Sequence, residues 1–196
     1  MNTRLKFNLA KSQKHIFLFG IVTCLLTSPF ALATNFTKID SSKSQITFTS
    51  KQMGVNVNGK FKKYDATLKL DSEKIESGTG SLTIELASID TGSKEGNDEV
   101  QGKNWFNVKT YPTARFELKS IKNLGDGKVS LTGDLTIKGK VKPLMSNAVM
   151  KLMGNAATLD GQFTFKRLDY NIGEGTWGDV DVVANEVQIH YQLYLK

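Results

Sequence analysis

The sequence predicts an all-β fold of antiparallel strands, either a sandwich or a barrel. The first observation is an every-other-residue apolar pattern between Val129 and Lys138, where Val, Leu and Ile alternate mainly with Ser, Thr and Asp. The second is the same pattern from Val187 to Lys196 at the end of the chain. The third is the scarcity of reactive side chains within these segments. Because successive side chains of a strand point to opposite faces, each segment has one buried face and one wetted face.

The first 33 residues are set apart from the fold because they resemble an export signal. A basic start precedes the apolar run Ile16–Leu26, and Ala31-Leu32-Ala33 supplies the small residues that a signal peptidase requires. The apolar run is short for a membrane span, which takes about 20 residues. We predict cleavage after Ala33 and a single domain over residues 34–196. Lipidation at Cys24 is the alternative, but Thr23 is a poor residue to precede a lipidated cysteine.

Removal of this segment changes the composition of the remaining chain. The net charge of +7 falls to +3, since four basic residues and no acidic ones lie in the signal. Nucleic-acid binding therefore loses its main support. The only cysteine, Cys24, leaves as well. The exported domain is then expected to lack a disulfide, a thiol nucleophile and a thiolate metal ligand.

The candidate strands follow one another with turn residues between them. In chain order they cover residues 36–40, 45–49, 64–71, 81–86, 115–119, 129–138 and 144–153, a segment around Phe163 and Phe165, and a closing strand from near Asn185. The turn Gly125-Asp126-Gly127 predicts a hairpin. The polar stretch Thr91–Asn104 breaks the pattern, and Ser93 or Asn97 is a candidate helix N-cap there. We predict about eight or nine strands and a short helical crossover near residues 93–104.

A glycine-rich segment matches a nucleotide-binding motif by its letters alone. Gly173–Gly178 reads GEGTWG, which fits G-x-G-x-x-G, but the dinucleotide motif needs a helix after the glycines. The chain continues into Asp179–Val183, which has no helical period. We predict a loop between strands.

The polar side chains form no recognised catalytic or metal site. His190 is the one histidine after the signal and is expected to face solvent, and one histidine without cysteine is a poor metal site. The carboxylates lack the spacing of a calcium loop. They fall into two groups: Asp179, Asp181 and Glu186; and Glu95, Asp98 and Glu99. A small basic face that could attract an anionic head group is formed by Lys138, Lys140 and Lys142.

Four stretches together resemble the YceI-like family of exported lipocalin-like proteins. They are Ile39–Asp71, Ser88–Leu118, Leu131–Leu144 and Phe165–Leu193, in the family's order across nearly the whole predicted domain. Asn171 departs from the family pattern, where a glycine is common.

The resemblance implies an antiparallel lipocalin-like barrel of about eight strands that holds an amphiphilic polyisoprenoid, quinone-like or a prenyl lipid, in its interior. It implies a periplasmic or secreted protein that binds or carries this lipid without catalysis. It implies neither a metal nor a cofactor, and its partners would be the lipid, a membrane in transient contact and a second copy in a homodimer. Strand alternation then selects the candidate cavity-lining residues. These are Phe48, Leu68, Leu70, Leu82, Ile84, Leu86, Phe116, Leu118, Leu131, Leu135, Phe163, Phe165, Ile189 and Tyr191.

Two alternatives stay open at the level of the sequence. One is an enzyme or redox accessory that acts on an amphiphile, for which Arg167, Asp169 and Tyr170 are the nearest inward polar candidates. The other is a structural or stress-related envelope protein with a filled barrel, whose surface binds a partner.

Overall fold

A computed structural model describes residues 33–196 of the protein. The predicted signal lies outside these residues except for Ala33, so its cleavage stays a prediction. The described chain forms one antiparallel sheet and one α-helix, which confirms the predicted all-β class. The strands are β1 Asn35–Phe36, β2 Gln45–Gln52, β3 Val55–Phe61, β4 Tyr64–Asp71, β5 Thr79–Glu85, β6 Ile89–Asp90, β7 Thr113–Gly125, β8 Lys128–Ile137, β9 Lys140–Met153, β10 Ala156–Lys166 and β11 Glu186–Leu195; the helix is α1 Lys94–Gln101.

The sheet contains eleven strands where about eight or nine were predicted. The strand predicted over residues 36–40 is present only as the two-residue β1, and the additional strands are β3 and β6, of which β6 also has two residues. The strand β3 has the sequence VNVNGKF, in which Asn and Gly are residues that strands disfavour. A tight turn with positive φ at Met53 and Gly54 joins β2 to β3. A methionine in that conformation is unusual, so the sequence carries little signal for this hairpin.

The strands are arranged in the order β1-β4-β5-β7-β8-β9-β10-β11-β2-β3-β6. The predicted hairpin is present, because Gly125 pairs with Lys128 across Asp126 and Gly127, both with positive φ. The alternating segments also have the predicted sidedness. In β8 and β11 the apolar residues of the alternation are buried with one half-buried exception, Val187, and form much of the core.

The segment before β2 bridges two distant strands of this sheet. Asn35 and Phe36 pair with the end of β4. Shortly afterwards, Lys38 exchanges backbone hydrogen bonds with Lys196, and the Asp40 N–H donates to Tyr194 O at 2.8 Å in β11. The curled sheet therefore meets itself along the final residues of β11, where the Phe36 side chain is completely buried.

Helix α1 lies within the crossover that the polar stretch predicts. The Ser93 hydroxyl accepts a hydrogen bond from the Gly96 N–H at 3.0 Å and caps the helix, as one of the two candidates was expected to do. After the helix, Phe106 is buried, and Val100 packs against the same apolar cluster. The crossover thus covers the end of the sheet where β11 begins. No helix within residues 33–196 is both long and apolar enough to span a bilayer.

Candidate functional site

The interior of the curled sheet contains two cavities in line along β11. The larger, about 500 Å³, lies where β11 begins, between the strands and α1. The smaller, about 130 Å³, lies deeper and is lined by inward side chains of β4, β5, β7, β8, β10 and β11. Ile189 contributes to both cavities. The strands therefore enclose unfilled space, with a wide outer part and a narrow inner part.

A row of three side chains separates the outer cavity from the inner one. Ile189 in β11 is directly opposite Phe48 in β2 on one side and Phe163 in β10 on the other. The Phe48 ring lies over Gly59, where a Cβ would overlap it. We call Phe48, Ile189 and Phe163 the apolar partition.

The inner cavity is apolar because its few polar atoms are turned into the sheet. The Tyr191 hydroxyl is 2.8 Å from Ser146 Oγ, and that hydroxyl lies 3.1 Å from Gln162 O. Burial raises the pKa of Tyr191, so its hydroxyl stays protonated at neutral pH. Gly161 is needed below this tyrosine, since a Cβ there would overlap the ring and hydroxyl. An apolar chain is the matching occupant for such walls.

Two tryptophans and a glutamate form the mouth of the outer cavity. The Trp105 and Trp177 indole N–H groups both donate to Glu99 Oε1, at 3.2 and 2.7 Å. The two rings are 5.7 Å apart between centroids and tilted by 55°. We call these three residues the mouth clamp. It ties α1 and the following turn to the loop at residues 173–178.

Arg167 is buried beneath the loop at residues 173–178 and binds its backbone. The residue is 1% exposed, and the five N–H groups of its guanidinium donate to backbone carbonyls. The acceptors, at 2.7–3.1 Å, are the carbonyl oxygens of Ile172, Gly173, Trp177, Val183 and Ala184. Burial lowers the pKa of Arg167 from its ordinary value. Although Arg167 borders the outer cavity, its hydrogen-bonding capacity is fully used by the protein.

The glycine-rich segment has the loop structure that the sequence predicts. Only a short 3₁₀ turn forms at Gly175–Gly178, without a following α-helix. The N–H groups of Gly173 and Glu174 both donate to Asn104 O at 2.8 Å, which fixes the loop to the chain after α1. Lys138 is committed here as well, because its ammonium lies 2.8 Å from Glu174 Oε2 and 2.6 Å from Asn171 O. It is therefore not an open anion site with Lys140 and Lys142.

Thirteen of the fourteen predicted lining residues border the two cavities. Phe48 and Phe165 border the outer cavity, and Ile189 borders both. The inner cavity is bordered by Leu68, Leu70, Leu82, Ile84, Phe116, Leu118, Leu131, Leu135, Phe163 and Tyr191. Leu86 lies elsewhere, because the chain leaves the strand at Glu85 and turns this side chain into the cluster beneath α1. That the predicted lining residues contact a ligand stays a prediction.

The sequence did not identify the mouth clamp as a site. Trp105 and Trp177 are separated by more than seventy residues, and no local spacing connects either of them with Glu99. The one local signal was Trp105-Phe106 at the end of a polar stretch, which correctly indicated apolar residues turned toward the protein.

The remaining polar candidates lie away from the cavities or are engaged within the protein. His190 lies on the outer face, 3.1 Å from Asp160 Oδ1, with its side chain 42% exposed. Asp169 is exposed, and Tyr170 is buried in the cluster beneath α1. Burial, with a smaller contribution from Asp169, raises the Tyr170 pKa to about 12. Residues 33–196 contain no group of three or more His, Cys, Asp or Glu side chains arranged to hold a metal ion.

Comparison with known proteins identifies relatives over nearly all of the described chain. The family model described as a YceI-like domain matches residues 38–195. A UPF0312 protein of Photorhabdus laumondii is 35% identical over 133 residues, which cover 66% of this chain and 67% of that protein. Protein YceI of Salmonella arizonae is 29% identical over 188 residues, covering 90% of this chain and 94% of that protein.

Solved structures share the fold. BcnA of Burkholderia cenocepacia is 42% identical, with a TM-score of 0.78 over 81% of this chain and 99% of that one. A polyisoprenoid binding domain from Saccharophagus degradans is 17% identical, with a TM-score of 0.68 over 83% of this chain and 98% of that one. The second likeness is one of fold alone.

Proposed function

This chain belongs to the YceI-like family, and we propose that it binds and carries an amphiphilic polyisoprenoid, quinone-like or a prenyl lipid, as a non-catalytic periplasmic protein. The observation that carries the proposal is the pair of cavities along β11. The outer one has a polar mouth for a head group, and the inner one has apolar walls for a tail. The polyisoprenoid binding domain that shares this fold supports the class of ligand.

The energetics of the inner cavity favour an occupied state. An empty cavity of about 130 Å³ costs about 3 kcal/mol at about 24 cal/mol per Å³. A domain is stable by only about 5–15 kcal/mol, so this cost is substantial. An apolar tail removes it and gains from leaving water, by about 4 kcal/mol for each five-carbon isoprene unit at about 0.8 kcal/mol per carbon.

A binding role agrees with the state of the polar groups near the interior. Arg167, the strongest inward candidate for chemistry, has no N–H left for a substrate. Tyr170 is buried beneath α1 and, with a pKa of about 12, is a weak acid. Both residues support the fold around the mouth. The periplasmic location follows from the export signal expected at residues 1–33, and the homodimer and the transient membrane contact are expectations from the family.

The test is to identify what the protein carries. The full chain is expressed in a bacterial host, and the periplasmic fraction is purified without detergent, extracted with organic solvent and analysed by mass spectrometry. We expect a prenyl lipid in stoichiometric amount. A variant without residues 2–33 is the control for export and should remain in the cytoplasm. Repeated recovery of folded protein with no lipid, and no uptake of added prenyl lipid, would contradict the proposal.

A further inference from the structure

The charged groups that line the outer cavity and are free to meet a ligand are negative. Its lining includes the carboxylates Glu95 and Glu99, and Arg167 is the only cationic side chain among the described residues that line it. We propose that Glu99 makes this mouth select head groups that donate a hydrogen bond and carry no negative charge, such as a prenyl alcohol or phenol, and reject prenyl phosphates and diphosphates. The inference rests on the proposed function and specifies the chemistry of the ligand's head.

The first step of the argument is the fixed position of Glu99. Both indole N–H groups of the mouth clamp donate to Oε1, which holds the carboxylate between Trp105 and Trp177. The other carboxylate oxygen, Glu99 Oε2, makes no hydrogen bond with residues 33–196. Both indole N–H groups are already bonded to Oε1, so they are not free to donate to a ligand. Glu99 is exposed and also lines the cavity, so its second oxygen is a free acceptor at the mouth.

The second step is that, within residues 33–196, the cavity lining offers a ligand no free cationic side chain. Arg167 donates all five of its N–H groups to backbone carbonyls, and moving it would leave those carbonyls without donors. Lys138 is paired with Glu174 and does not line the cavity. A phosphate that enters the mouth meets carboxylates without an available basic partner, and like charges placed together oppose binding.

The third step is the chemistry that fits. A hydroxyl can donate to Glu99 in a charge-assisted hydrogen bond, which is stronger than one between neutral groups. The neighbouring indole rings offer flat apolar surface to the first carbons of the tail or to a phenol ring. Glu99 is thus a specificity-determining residue, and the aromatic rings on either side set its position.

The experiment compares two ligands with the same tail. Purified full-length protein is stripped of lipid and titrated with geranylgeraniol and geranylgeranyl diphosphate, with binding followed by retained ligand and by intrinsic fluorescence. The chain has two tryptophans, and both are in the mouth clamp, so the fluorescence reports on the mouth. We expect the alcohol to bind at least about tenfold tighter, a ratio equivalent to about 1.4 kcal/mol.

Substitution of the carboxylate should reduce this discrimination. Glu99→Gln keeps a carbonyl oxygen for the indoles and removes the charge. The diphosphate should therefore bind more tightly, and most of the tenfold preference for the alcohol should disappear. Glu95→Gln, in the first turn of α1, is a second variant outside the clamp and should shift the ratio in the same direction. Asp98→Asn is the matched control, because Asp98 pairs with Lys94 on the same helix and does not line the cavity. Its ratio should equal that of the unchanged protein.

The outcomes separate the two proposals. Equal affinities, a preference for the diphosphate, or an unchanged ratio in Glu99→Gln overturn the selectivity and leave lipid binding intact. If neither prenyl compound binds to the folded protein, the proposed function fails and the selectivity fails with it.

Discussion

At the scale of single residues, Arg167 shows that a buried charge beside a cavity can serve the backbone alone. The residue was an inward polar candidate in the sequence, and it does border the outer cavity. Its five donors nevertheless end on carbonyls of residues 172–184. Backbone carbonyls carry no residue identity, so the sequence contains no pattern that predicts these partners. Charge-assisted bonds to a planar five-donor group fix the loop at residues 173–178, whose only regular element is a short 3₁₀ turn.

Arg167→Lys should destabilise the protein by at least about 2 kcal/mol. An ammonium has three donors and cannot reach five carbonyls, so buried acceptors are left without partners. The control is Arg115→Lys, an exposed arginine that pairs with Glu117, for which we expect a change within about 0.5 kcal/mol. Urea unfolding of both variants measures the difference. Similar small losses in both would show that the carbonyls do not depend on Arg167.

At the scale of elements, the apolar partition results from the pairing register of three strands. Phe48, Ile189 and Phe163 lie side by side because β2 and β10 both pair with β11 at that position. A one-residue shift of either strand would turn its phenylalanine to the outer face. The row is therefore positioned to control passage of a tail from the outer cavity to the inner one.

Ile189→Trp should narrow this passage. A long prenyl tail that must enter the inner cavity should lose about tenfold in affinity, whereas a short prenyl alcohol that fits the outer cavity should lose little. Gln188→Trp, on the exposed face of the same strand, introduces the same side chain outside the cavity and is the control. Circular dichroism should confirm folding of both variants, since overpacking costs about 1–3 kcal/mol. Equal losses for the long and short tails would place the tail elsewhere.

The elements also show what periodicity can and cannot predict. The alternation in β8 and β11 predicted both the strands and their buried faces, because side-chain sidedness is a local property. The same rule selected thirteen residues that border the cavities. It failed for Leu86, because a 3₁₀ turn replaces the strand there and directs this side chain away from the cavities. The β3 strand was missed because Asn and Gly weaken its strand signal. The mouth clamp was missed because its contacts join residues that only the closed fold brings together.

At the scale of the whole molecule, ligand binding and stability should be coupled, because the cavities exist only when the chain is folded. The inward faces of β4, β5, β7, β8, β10 and β11 contribute side chains both to the main apolar cluster and to the inner cavity. A tail in that cavity replaces contacts that the walls otherwise lack. A ligand held at the surface would leave these contacts unchanged.

Lipid-free protein should therefore melt at a lower temperature than protein loaded with a prenyl alcohol. With free ligand at about 100 times its Kd, the stabilisation is about 2.7 kcal/mol. For a domain of this size, that corresponds to a rise in Tm of roughly 5–10 °C. Differential scanning calorimetry on stripped and reloaded samples measures the shift, and Ile189→Trp should lose about half of it at the same free concentration of a long-tailed ligand. A ligand that binds only the folded chain raises Tm wherever it lies, so the location of the tail is read from the variant. A rise in Tm as large in Ile189→Trp as in the unchanged protein would mean that the ligand stays in the mouth and leaves the inner cavity empty.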